Sequence, residues 1–179
     1  GARTRLVENG ITVWAGYLSE TFGVLRGGLR KGVAYNQQLN GGVDLDMGRI
    51  AGWQGAKFHL VINDRRGEGL TPGYLGNGYS VQGAFGFQYP KISELSYEQQ
   101  LADGKTNLRI GLFPVGSQFG QMEGACDFVN VGFCAHPRNF ATGSYWSGYP
   151  NPSWGVMVHS DILPELSVRG GAFLDMPTS

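Results

Sequence analysis

Paired carboxylates are the first residues whose spacing could do chemistry. Asp44 and Asp46 stand two apart, and Glu94 and Glu98 four apart; two carboxyl groups flanking a glycosidic bond are the equipment of sugar hydrolysis. Residues two or four apart on a strand share one face, which decorates a polar wall rather than brackets a bond. Other reaction signatures fail on spacing. No Gly-x-Ser-x-Gly elbow occurs, and Gly67-Glu68-Gly69-Leu70-Thr71-Pro72-Gly73 misses the dinucleotide spacing and is expected to precede no helix. His59, His136 and His159 are not at ligand spacing with Cys126 and Cys134, so no metal is expected. The inventory predicts neither an enzyme nor a cofactor. Cys126 and Cys134, with seven residues between them, are expected to form a disulfide if the protein is exported, with unpaired thiols as the alternative.

The elements that position these residues show a period of two. Over 33–47 one face reads Val33, Tyr35, Gln37, Leu39, Gly41, Val43, Leu45, Met47, and the other Ala34, Asn36, Gln38, Asn40, Gly42, Asp44, Asp46. The alternation recurs over 11–20, 56–65, 91–101, 106–115, 154–160 and 166–175, which makes seven strands. The first is the least clean, because Trp14 and Leu18 fall on the face that is polar elsewhere. Such length exceeds the roughly five or six residues of an ordinary strand and suits the ~9–11 that a tilted strand needs to cross a bilayer. Short links at 48–54, 102–105 and 161–165 alternate with long ones at 23–32, 67–90 and 116–153. Short turns on one side and long loops on the other mark an outer-membrane barrel. A soluble up-and-down barrel, with its apolar face inward, is the alternative of identical periodicity.

Composition agrees with an all-β chain whose surface is not wholly in water. Glycine fills 30 of 179 positions, where about 12 would be usual. Charged residues make up 16%, against roughly 25% in soluble domains. Fourteen basic and fourteen acidic residues balance, so no nucleic-acid partner is expected. No apolar run reaches the ~18 residues of a transmembrane helix. The opening Gly1-Ala2-Arg3 lacks an apolar signal core, so any export signal is expected to have been removed.

Asp103-Gly104 fixes a register. An Asp-Gly pair between alternating runs predicts a two-residue type I′ hairpin. If Ala102 faces Lys105, then Leu95 faces Leu112, Tyr97 faces Ile110 and Glu98 faces Arg109. The apolar pairs share one face, and the ion pair falls on the other.

Several segments resemble the carbohydrate-selective outer-membrane porins of the OprB type. These are Gly27-Gly28-Leu29-Arg30-Lys31-Gly32, and Asp44-Leu45-Asp46-Met47-Gly48-Arg49-Ile50-Ala51-Gly52-Trp53-Gln54-Gly55-Ala56-Lys57-Phe58. Glu94-Leu95-Ser96-Tyr97-Glu98-Gln99 and Arg109-Ile110-Gly111-Leu112 follow in the family's order. Arg3-Thr4-Arg5-Leu6-Val7-Glu8-Asn9-Gly10 resembles the short periplasmic helix before the first strand. The resemblance implies an antiparallel transmembrane β-barrel of about sixteen strands in a Gram-negative outer membrane. Seven strands is odd, and Asp175-Met176-Pro177-Thr178-Ser179 ends without an aromatic strand. Residues 1–179 are therefore read as the N-terminal part of one barrel, with 1–10 as the periplasmic helix and 11–175 as strands.

The face assignment then nominates a pore lining. Strand 2 offers Asn36, Gln38, Asn40, Asp44 and Asp46; strand 3 offers Lys57, His59, Asn63 and Arg65; Glu94, Glu98, Arg109 and Arg169 come from strands 4, 5 and 7. Amides and charges of both signs can exchange hydrogen bonds with sugar hydroxyls, or simply hydrate the wall. Among the loop aromatics, Tyr145 and Trp146 are the candidates for stacking on a sugar ring, with a place in the interfacial girdle as the alternative. The expected function is passive, selective diffusion of glucose-type carbohydrates; a ligand-binding barrel without a channel is the alternative. The expected partners are small carbohydrates and outer-membrane lipid, with a homotrimer as the candidate assembly.

Overall fold

The seven segments form one antiparallel sheet in chain order in the computed structural model, which describes residues 1–121, 124 and 147–174. The strands are β1 (Ile11–Val24), β2 (Gly32–Asp46), β3 (Ala56–Gly67), β4 (Pro90–Leu101), β5 (Thr106–Phe113), β6 (Ser153–Leu163) and β7 (Leu166–Phe173). Each pairs with its neighbour in sequence, and the sheet is open at β1 and β7, as part of a barrel is. β1 runs four residues beyond the expected 20, and β6 three beyond 160.

Burial along the strands is the reverse of a soluble sheet. Asn36 and Asn63 are fully buried, and Gln38, Arg65 and Glu98 nearly so, while Leu39 is 54% exposed. Val13, Tyr17, Ile62, Leu95 and Ile110 are likewise exposed on the opposite face. In water that face would lose the hydrophobic contribution of every side chain on it; against lipid the arrangement is the favourable one. The soluble-barrel alternative requires the opposite pattern and is set aside. Along β2 the outward residues from Tyr35 to Leu45 cover about 33 Å of strand, or about 25 Å of bilayer at a tilt near 40°.

Aromatic rings mark both ends of this band. At the end with short links, Trp53, Phe58 and Tyr97 pack together, with ring centroids 5.2–6.4 Å apart. Trp53 reaches them from the 48–54 link, which contains a short helix, α2 (Met47–Ala51). At the other end Trp154 and Tyr89 are exposed, and the Tyr17 and Tyr35 hydroxyls meet at 2.9 Å.

The hairpin between β4 and β5 has the expected register: Leu95 opposite Leu112, Tyr97 opposite Ile110, Glu98 opposite Arg109. Asp103 and Gly104 have φ of 56° and 86°, and Lys105 N–H donates to Ala102 C=O at 3.1 Å. That is the type I′ geometry. One irregularity escaped the alternation. Val61 pairs with Glu94 and Ile62 with Ile92, so Ser93 is an extra residue. This bulge flips the parity of β4 and turns Ile92 outward with Leu95.

One departure concerns a helix. A one-turn helix at Thr71–Leu75 follows the Gly67–Gly73 segment, where none was expected. At the other end of the sheet α1 (Ala2–Glu8) leads into β1. It is tied to α2 by Arg49, whose Nη1 donates to Val7 C=O at 2.9 Å.

Candidate functional site

A ladder of charged side chains crosses the polar face on four adjacent strands. Register places Asp44 of β2 opposite His59 of β3, and their Oδ1 and Nδ1 lie 2.6 Å apart. The other imidazole nitrogen, Nε2, is 3.7 Å from Oε2 of Glu98 on β4. The same Glu98 oxygen accepts from Arg109 Nη2 of β5 at 2.6 Å. Arg109 Nη1 donates to Glu94 Oε1 at 3.3 Å, and Ser96 Oγ donates to that oxygen at 2.6 Å. A guanidinium fork held by two carboxylates is the strongest geometry available to these residue types.

The same contacts dispose of the acid–base pairs that the sequence offered. Glu94 and Glu98 share one arginine, so both are committed as acceptors. Asp44 and Asp46 part company altogether. Asp44 turns to His59, while Asp46 caps α2 through Gly48 N–H at 3.0 Å and Arg49 N–H at 3.3 Å. Lys57 lies in register between Asp46 and Glu98.

A second group lies nearer the long loops. Asn63 Nδ2 donates to the Tyr149 hydroxyl at 2.9 Å. Arg65 Nη1 donates to Phe85 C=O at 3.1 Å, and its guanidinium carbon sits 5.9 Å from the Phe87 ring centroid. Lys91 approaches the same ring at 5.6 Å and bonds Asn151 Oδ1 at 2.8 Å. Asn36 Nδ2 reaches Glu68 C=O at 3.4 Å. Gln38 is buried beside Leu18, and Asn40 lies opposite Gly16. Trp14 occupies the space over Gly42, where an added methyl would come within 2.8 Å of its ring. Arg169 is exposed on β7 and donates to Gln118 C=O. Tyr145, Trp146, Cys126 and Cys134 lie outside the described residues.

Sequence reading passed over Glu20, Gln82 and Lys91, and counted Tyr149 only among the loop aromatics. Glu20 has the parity of the polar face, opposite Asn36, but the apolar Trp14 and Leu18 hid that signal. Gln82 is buried in the loop and accepts from Leu70 N–H at 2.6 Å; no local pattern announces it.

A long-stranded sheet with an apolar face and an opposite hydrogen-bonding face is the architecture of an outer-membrane barrel wall. The model of the carbohydrate-selective porin family, OprB, matches residues 30–179. The chain belongs to this family. Porin B of Pseudomonas aeruginosa is 30% identical over 187 residues, covering 100% of this chain and 41% of the relative. The high-pH structure of Pseudomonas putida OprB superposes with a TM-score of 0.90 at 31% identity, covering 99% of this chain and 44% of that one. The low-pH structure of the same protein gives 0.64 at 25%, covering 97% and 48%. The chain thus spans about two fifths of the Porin B relative, 41% of it. As a chain of the OprB family, its sheet is part of an outer-membrane β-barrel.

Proposed function

We propose that the chain contributes to an outer-membrane channel through which small carbohydrates of the glucose type diffuse passively. The observation that carries this reading is the ladder from Asp44 to Arg109. It supplies donors and acceptors of both signs across four strands, most already satisfied by a neighbour, with His59 Nε2 and Arg109 Nε left without a hydrogen-bond partner. Groups so satisfied exchange hydrogen bonds weakly and repeatedly with a passing hydroxyl, and weak multiple contacts suit conduction better than one tight site. Asn36, Gln38, Asn40, Asn63, Arg65 and Arg169 extend the proposed lining. The family's description as carbohydrate-selective supports the sugar assignment, and the name of the Pseudomonas aeruginosa relative, Porin B, supports the channel. Outer-membrane lipid is the proposed neighbour of the exposed apolar face.

Planar-bilayer recording of the full-length protein tests the proposal. Stepwise channel insertion is expected, and millimolar glucose-type sugars should lower the ionic current. A protein that inserts without conducting, or whose current ignores sugars, removes the reading.

A further inference from the structure

The segment between β3 and β4 folds back over the inner face, and its two halves are held differently. The first half is packed: Leu70 is buried with Val24 and Ala34, and Tyr74 and Leu75 close over them. The second half is held by hydrogen bonds. Glu20, on the inner face of β1, accepts from Gly83 N–H at 3.2 Å through one oxygen and from Ala84 N–H at 2.8 Å through the other. Ala84 is fully buried, so its amide has no ready exchange with water. Arg65 of β3 holds the Phe85 carbonyl at 3.1 Å. Residues 83–85 are thus gripped from β1 and from β3, and they cross the face of β2 between them.

We propose that Glu20 is a positioning residue that fixes this segment across the passage and thereby sets the largest solute that enters. The inference rests on the porin reading above. It needs an acceptor with the reach of Glu, because the Ala84 amide it holds is buried and the adjacent Gly83 amide, which takes the other oxygen, is exposed. Without that acceptor, the buried Ala84 N–H is left unpaired, which is unfavourable, while the exposed Gly83 N–H can turn to water. The segment recovers hydrogen bonds only by moving out to water. The Leu70 packing does not involve Glu20, so the first half should stay in place.

Glu20→Ala and Glu20→Gln separate positioning from charge, and Glu20→Asp keeps the charge while shortening the reach. In the full-length protein, Glu20→Ala should raise single-channel conductance about 1.5-fold or more, since flow follows the narrowest opening. It should also admit larger polyethylene glycols and expose Phe85 and Phe87 to chymotrypsin. Glu20→Gln, which still accepts one of the two bonds, should stay near wild type in both size cut-off and proteolysis, and Glu20→Asp should follow Glu20→Ala. Equal changes in Glu20→Ala and Glu20→Gln would mean that charge alone acts and would overturn the proposal. An unchanged cut-off and unchanged cleavage in Glu20→Ala would overturn it too. Proteolysis needs no channel, so it decides the anchor even where the wild-type protein fails to conduct.

Discussion

Arg109 carries more of the polar wall than any other single residue. It joins Glu94 and Glu98, which without it are two carboxylates with no cation between them. Removing one partner of an interior ion pair costs about 3–5 kcal/mol when the pair is fully buried. Side chains here keep 12–19% of their exposure, so screening lowers the figure to roughly 1–3 kcal/mol. Arg109→Ala is expected to destabilise the folded protein by that amount in urea titrations, and to shift ion selectivity toward cations in a salt-gradient measurement. Arg109→Lys restores the charge without the fork and should recover selectivity more than stability. A stable, unshifted Arg109→Ala variant would contradict the assignment. The Glu98–Arg109 pair was legible in the sequence, because an Asp-Gly turn five residues away dictates it. His59 was not legible as the bridge between Asp44 and Glu98. Its place depends on the registers of β2–β3 and β3–β4, and neither is set by a two-residue turn.

Secondary structure follows the alternation wherever a strand is regular, and the β4–β5 hairpin shows where it is strained. Ala102 has φ of 51° immediately before Asp103 and Gly104, so three consecutive residues are left-handed. A Cβ in that region costs about 1–2 kcal/mol per residue. Glycine relieves it but also loosens the unfolded chain, which returns part of the gain. Ala102→Gly should therefore stabilise by a net ~0.5–1 kcal/mol, read as a higher urea midpoint at unchanged slope; a lower midpoint would show that the backbone there is relaxed. What the pattern did not reveal has identifiable causes. Ser93 is one residue too many on β4, and a bulge leaves no compositional mark beyond the displaced parity of Ile92. α2 has an Asp N-cap but only five residues, too few for a helical period to register. The inward fold of residues 68–89 is specified by Val24 and Glu20 on β1, and by Arg65 and Arg66 of β3, whose partners lie 20 and 22 residues further on, so no short window contains it.

At the scale of the whole molecule the proposed barrel sets the two faces of one sheet against two different solvents, and the same substitution should have unequal consequences on each. Leu95 is 46% exposed on the outer face, between Leu60 of β3 and Leu112 of β5. An arginine there must be stripped of water or must pull water into lipid, at about 2–4 kcal/mol near the middle of the bilayer. Asn40 lies on the inner face, opposite Asn63 of β3 and Gly16 of β1. An arginine at Asn40 can extend along a hydrated wall, and a substitution in such surroundings costs within about 0.5–1 kcal/mol. Urea-dependent unfolding of the full-length protein from phospholipid vesicles compares the two directly: Leu95→Arg should lower the midpoint well beyond Asn40→Arg. The reverse order would mean that the apolar face is the packed one and the polar face the surface. The balanced wall and the apolar band would then have exchanged roles, and with them the side of the sheet along which a sugar could travel.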